Sequence, residues 1–290
     1  GHWLEAYVEL TEPNHNMVSA TQGIADAGNA LGTLHQLTTM TGGVFGAATA
    51  SDVEHYVPLQ FWFCRNPGLA LPIIALQYHE VKINLTFATA NNSVTIDDTT
   101  GGGIKLWADY VYLDTDERRR FAQQSHEYLI EQVQHMSAAA SDSIDLNFNH
   151  PVKELIWAGQ GAASTAATSI ATARAITAGS VFTLKLNGHD RFAPKPLTYF
   201  TRYQVKTYHS GTGGMLPTTL LNTLADSIAV YSFALKPEEH QPSGTCNFSR
   251  IDNARLVNSG TTLGSNLEIY AVNYNVLRIM SGMGGLAYSN

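Results

Sequence analysis

Charge is what this 290-residue chain has least of. Asp, Glu, Lys and Arg together make up 14% of it, against roughly 25% in an average soluble protein. Neutral polar residues fill the gap, and a surface of that kind suits packing against copies of itself, because few charges must be desolvated at a contact. Seventeen Lys and Arg stand against 24 Asp and Glu, a formal charge of −7. An acidic chain has no general affinity for phosphate backbones. Its basic residues cluster only at Arg118-Arg119-Arg120, with Lys185, Arg191, Lys195, Arg202 and Lys206 scattered, so direct nucleic-acid binding is not expected.

Cysteine is nearly absent. Cys64 and Cys246 lie far apart without CxxC spacing, which points neither to a disulfide framework nor to a zinc site and fits a reducing cytoplasm. No apolar run approaches the ~18 residues of a membrane span. No charged and apolar leader opens the chain, so no signal peptide is expected. Gly1 stands where an initiator Met would, directly before strand-like sequence, and the natural N-terminus is expected to lie elsewhere.

Catalytic motifs are missing too. Neither GxSxG nor the P-loop pattern occurs. His126-Glu127 begins HExxH, but Ile130 stands where the second His is required; His126 reads as a hydrogen-bonding residue at a helix end. His55, His79, His126, His135, His150, His189, His209 and His240 are dispersed without an HxH pair, so the cupin signature is absent and no metal site is expected. No catalytic residue and no cofactor is assigned.

What is present is alternation. "WLEAYVEL" (Trp3 to Leu10) places Trp3, Glu5, Tyr7 and Glu9 opposite Leu4, Ala6, Val8 and Leu10, the period of a half-buried strand. Residues 11–50 read as a long decorated loop with room for a short helix. Residues 55–87 carry the densest strand signal, interrupted by the turn Asn66-Pro67-Gly68, with Gly68 expected at positive φ, and by Pro72, which marks an edge or a bend. Residues 88–103 form a polar loop and 104–114 another strand. Asp114 and Glu117 have capping-box spacing for a helix over about 115–125, after which "HEYLIEQVQ" leaves as an extended arm. "HMSAAASDS" (135–143) is the linker candidate.

A second strand series follows: 144–159, an Ala/Ser/Thr-rich surface excursion at 160–180, a hairpin at Asn187-Gly188, then "TYFTRYQVKTYHS", "SIAVYSFAL", "FSRIDNARLVN" and "LEIYAVNYNVLRIMSG". Many short strands separated by turn signals describe an all-β chain of sandwich or barrel class, with two units in tandem.

The most polar punctuation of the second half is Pro237-Glu238-Glu239-His240-Gln241-Pro242-Ser243-Gly244. Its residue types suit acid–base chemistry. Paired-carboxylate catalysis, however, needs two groups facing one substrate, and adjacent residues in a tight turn diverge. Two prolines and a closing glycine fix a backbone corner, with polar side chains satisfying loose backbone groups. This corner is read as a structural element or subunit contact. Asn84, Asn91 and Asn247 match the N-glycosylation pattern, as a chain rich in Asn, Ser and Thr does by chance.

Several blocks together resemble one family. "HYVPLQFWFCRNPGLALPIIALQYHEVKI", "DERRRFAQQSHEYLIEQVQ", "NFNHPVKELIWA", "YSFALKPEEHQPSGTCNFSRIDNARL" and "YAVNYNVLRIMSGMGGLAYSN" are similar, in order, to the major capsid proteins of nucleocytoplasmic large DNA viruses, among them iridoviruses, phycodnaviruses and mimivirus-like viruses. The resemblance implies a double jelly roll, two antiparallel eight-stranded sandwiches in tandem: 1–134 as the C-terminal portion of an incomplete first jelly roll, 135–143 as linker and 144–290 as the second. It implies homotrimers of pseudo-hexagonal outline tiling an icosahedral shell in the virion, assembled in the host cytoplasm. The partners implied are sister copies, minor capsid, cement and penton proteins, and an inner membrane beneath the shell that this chain does not span. Two other readings compete. A jelly-roll carbohydrate- or receptor-binding protein needs exposed aromatics such as Trp157 or Tyr208 lining a groove. A cupin-like metalloenzyme needs bound metal.

Overall fold

The computed structural model describes residues 2–11, 59–85, 105–159, 176–211 and 226–288. The expectations for 12–58, 88–103 and 160–175, and for Asn91, lie outside the described residues. The chain forms two compact units: Gly1–Gln60 with Glu131–Asn275 and Asn290, and Phe61–Ile130 with Val276–Ser289.

Most of the first unit is a β-sandwich. The strands of the chain are β1 (His126–Ala138), β2 (Ser143–Asp145), β3 (Pro151–Gly159), β4 (Val181–Leu186), β5 (His189–Asp190), β6 (Lys195–Pro196), β7 (Ile228–Ser232), β8 (Cys246–Asn247), β9 (Ala254–Asn258), β10 (Leu267–Met280) and β11 (Met283–Leu286); the start of β1, the end of β10 and β11 fall in the second unit. One sheet runs β1-β10-β3-β7, with β8 on β3 and β11 on β10; the other runs β2-β9-β4-β5, with β6 on β4. His135–Ala138, expected as linker, end β1.

Side-chain direction explains the patterns. Leu155 and Trp157 of β3, Ala229 and Tyr231 of β7, and Leu267, Ile269 and Ala271 of β10 meet Phe182, Leu184 and Leu256 of the facing sheet. Their even-numbered neighbours Ile156, Ile228, Val230, Tyr270 and Val272 turn to the other face and pack against Ala6, Leu10 and Val205. The first sheet is thus buried on both faces, which is why β3 and β7 read as nearly unbroken apolar runs. Aromatic rings fill the middle: Trp157 lies 5.6 Å from Phe182 and 5.2 Å from Phe200, centroid to centroid.

Several expected strands are helical or unpaired instead. Residues 3–10 lie in a helix, α1 (His2–Thr11). Trp3, Ala6 and Leu10 face the sheet at spacings that suit a helix as well as alternation suits a strand, and Leu, Ala and Glu favour the helix. "TYFTRYQVKTYHS" is helical, a wide π-turned stretch Tyr199–Gln204 followed by an α-helical turn, Val205–Tyr208. Its buried residues Phe200, Thr201, Gln204 and Val205 recur at helical spacing.

In the second unit a helical turn occupies Trp62–Arg65, and residues 79–85 and 105–114 have no strand partner among the described residues. Without a neighbour to complete its ladder, a β-prone segment stays extended but unpaired. Asn66 Oδ1 accepts the Gly68 N–H at 2.9 Å, capping a 3-10 turn over Pro67–Leu69; Gly68 is not among the glycines with positive φ. Pro72 does mark a bend, before a second 3-10 turn at Ile73–Ala75.

Candidate functional site: the 237–244 corner and its buried clamp

The corner begins where β7 stops. Phe233 and Ala234 both donate their N–H groups to the Lys153 carbonyl, at 2.8 and 3.2 Å. Ser243 closes the loop: its hydroxyl accepts the Lys236 N–H at 2.9 Å. Gly244 sits at φ +144°, and a Cβ there would lie 2.7 Å from the Phe233 carbonyl oxygen. The loop-closing glycine is therefore required by close backbone approach as well as by φ.

The two neighbouring glutamates part company. Glu239 points outward and pairs with Lys236 at 2.7 Å, both exposed. Glu238 points inward: its Oε1 accepts the Ser210 N–H at 2.9 Å and faces His209 Nδ1 at 3.1 Å, while Oε2 accepts the Ser210 hydroxyl at 2.8 Å. The pair therefore does not share a substrate position. Pro237 is buried, and no partner within the corner is shown for His240, Gln241 or Pro242.

Beneath the corner lies a cluster that sequence reasoning missed. His209 follows the Val205–Tyr208 helical turn, its side chain only 2% exposed, with Nε2 3.0 Å from Glu154 Oε2 of β3. Nε2 and Glu154 Oε2 are within ion-pair distance but not aligned as a hydrogen bond; a carboxylate close to each ring nitrogen favours the doubly protonated, charged ring. Burial alone would push the imidazole down, but Glu154 and Glu238 outweigh it and raise it to about 9. Glu154 and Glu238 are likewise pushed up by burial, and their bonds to His209, with Ser210 helping Glu238, hold both below the usual carboxylate range.

A β-bulge brings a second charge pair here. Val272 pairs with Glu154 and Asn273 with Val152, so Lys153 is left over on β3; bulges of this kind re-aim side chains. Lys153 Nζ reaches Glu131 Oε1 of β1 and the Pro237 carbonyl, both at 2.6 Å, and lies over the Tyr274 ring of β10. The Tyr274 hydroxyl is pushed up to about 12 by burial, with Glu131 and Glu154 adding to it. Ser210 and Gly211 also meet the end of α1: the Gly211 N–H donates to the Leu10 carbonyl at 2.7 Å, and the Ser210 hydroxyl oxygen lies 2.7 Å from the Thr11 carbonyl oxygen. The sequence holds no local sign of this hub, since its charged members come from residues 131, 153, 154, 209 and 238.

The other singled-out residues lie elsewhere. His126 Nε2 contacts the Phe121 carbonyl at 2.8 Å, at the end of the Thr115–Gln123 helix, as expected. Trp157, needed exposed by a sugar-binding groove, is 1% exposed in the core. Asn84 and Asn247 are exposed; Asn247 Oδ1 accepts the Ser249 N–H, and the Ser249 hydroxyl accepts that of His150, so this pattern is occupied in a local turn. Among the described residues no group of three or more His, Cys, Asp or Glu is placed to hold a metal. No helix among them is long and apolar enough to cross a membrane.

The family model for the large eukaryotic DNA virus major capsid protein matches residues 117–285, and that for the major capsid protein N-terminus matches residues 3–114. The chain belongs to this capsid-protein family. It is 50% identical over 270 residues to the major capsid protein of Pyramimonas orientalis virus, covering 87% of this chain and 66% of that protein. It is 42% identical over 317 residues to the major capsid protein of Paramecium bursaria Chlorella virus 1, covering 87% and 70%. The chain thus spans about two thirds of the length of these relatives. Among solved structures, a quasi-atomic model of the PBCV-1 virus capsid matches with TM-score 0.69 and 35% identity, over 100% of this chain and 79% of that one. The fold class is accordingly the all-β double jelly roll of this capsid-protein family.

Proposed function

We propose that this chain is a structural tile of the outer shell of a large icosahedral DNA virus, with no catalytic role. Membership of the capsid-protein family is the observation that carries this reading. In it, three copies form a pseudo-hexagonal capsomer, capsomers pack through heterologous contacts, and many weak repeated contacts add up to a stable shell. Residues 1–134 belong to a first jelly roll and 144–290 to a second. Minor capsid, cement and penton proteins complete the shell over an inner membrane, and assembly takes place in the host cytoplasm. The exposed outer face of the 237–244 corner serves as a subunit contact.

The surface supports self-association. Of the large apolar side chains left exposed among the described residues, all but Val133, Tyr203 and Leu235 lie in the second unit, with Trp107 at 80% and Tyr112 at 93%. Apolar surface so concentrated marks a face that another molecule covers. Electron microscopy of the purified chain tests the reading. Three-fold particles of hexagonal outline are expected. Isolated single chains, with their oligomers absent at every concentration, would contradict it. A Glu239→Ala, His240→Ala double variant tests the corner's part in it: particle yield is expected to fall, and unaltered yield would remove the corner from the contact.

A further inference from the structure

The 209–211 segment holds three separate elements at once, two of them through one ring. Glu154 of β3 faces Nε2 of His209, Glu238 of the corner faces Nδ1, and the next two residues engage the last carbonyls of α1. We infer that His209 is a charge-dependent lock: its doubly protonated ring pins the 237–244 corner to β3, and loss of that charge frees the corner while the sandwich stays folded.

The groups facing the ring decide the direction. β3 contributes Glu154 and, beside it, Lys153; β1 contributes Glu131, paired with Lys153; the corner contributes Glu238; β10 contributes Tyr274 against Lys153. With the ring charged, three carboxylates face two cations. A neutral imidazole keeps a single N–H, so one carboxylate then faces a lone pair. Glu154 and Glu238, which already repel each other, also lose the cation between them. Glu154 is fixed in the sheet by its pairing with Ser232 and Val272. Glu238 sits on a loop, so the loop is what moves. Lys153 still holds the Pro237 carbonyl, so release begins beyond Pro237. The ring's ordinary value of 6.5 is raised to about 9, which places the release on the alkaline side.

The lock is a property of one folded chain. Only its consequence for assembly, that unlocking the corner weakens the subunit contact, rests on the proposed function. Amide hydrogen exchange tests the lock directly, with rates corrected for the intrinsic effect of pH. In the wild-type chain, the Ser210 amide, bonded to Glu238 Oε1, and the Lys236 amide, bonded to Ser243 Oγ, are expected to lose protection by roughly tenfold or more between pH 7 and pH 10, while β4 and β9 keep theirs. His209→Gln is expected to show the same loss already at pH 7 and no further change at pH 10. Equal corner protection at the two pH values in the wild type would overturn the inference, as would loss shared equally by β4 and β9. Should His209→Gln not fold, the wild-type comparison decides alone. A locked corner in a chain that never associates would count against the proposed function and leave the lock standing.

Discussion

Gly244 is the residue where the corner tolerates least. A side chain there meets the Phe233 carbonyl and an unfavourable φ together, so Gly244→Ala is expected to lower the unfolding free energy by about 2–4 kcal/mol, read as a shift in denaturant midpoint. A shift within error would mean the corner adjusts freely. The charged cluster makes a second residue-scale prediction. His209 is raised from 6.5 to about 9, so its contribution to stability is complete below about 6.5 and is lost as pH rises through about 9. Glu154 and Glu238 lie below their ordinary 4.5, so theirs is complete above 4.5 and is lost as pH falls through their depressed folded values. Urea midpoints measured from pH 3 to 10 should therefore fall on both sides of a plateau at about 4.5 to 6.5; midpoints unchanged up to pH 10 would contradict the buried imidazolium. At this scale the sequence showed the corner, because Pro237, Pro242 and Gly244 punctuate it in a row. It hid the clamp, because His209 and Glu154 reach Glu238 only through the fold.

Elements were legible where local chemistry settles them. Asp114 and Glu117 do form the capping box of the Thr115–Gln123 helix. Asn187 and Gly188 adopt φ of 51° and 83° in the β4–β5 hairpin, the positive values a two-residue turn demands. Strands β3, β7 and β10 followed from apolar runs. The misread elements are those that packing decides. The α1 sequence supports both periods, and only the sheet face at Ile156 and Tyr270 selects the helix. Segments 79–85 and 105–114 carry strand composition, but no partner pairs with them among the described residues. Two predictions belong here. Asp114→Ala should cost the helix about 1 kcal/mol, seen as faster amide exchange over 115–123; unchanged exchange would mean the cap is idle. Ala6→Asp buries a carboxylate against Val230 and Val272 and should lower stability by about 2–4 kcal/mol with loss of helical circular dichroism. An unaffected spectrum would show that α1 does not depend on that face.

For the whole molecule, the contrast lies between a sandwich with both faces of one sheet buried and a second unit that leaves Trp107, Tyr110 and Tyr112 exposed. A low-charge surface and an exposed apolar unit each favour contact with copies of the same chain. The family membership was legible in the sequence because its blocks are long and run in order. The exposed surface was not, because burial depends on partners that a sequence does not display. Light scattering of the purified chain across a wide concentration range tests the central claim most directly. A mass near three chains is predicted. A mass of one chain that persists at the highest concentration would contradict the account.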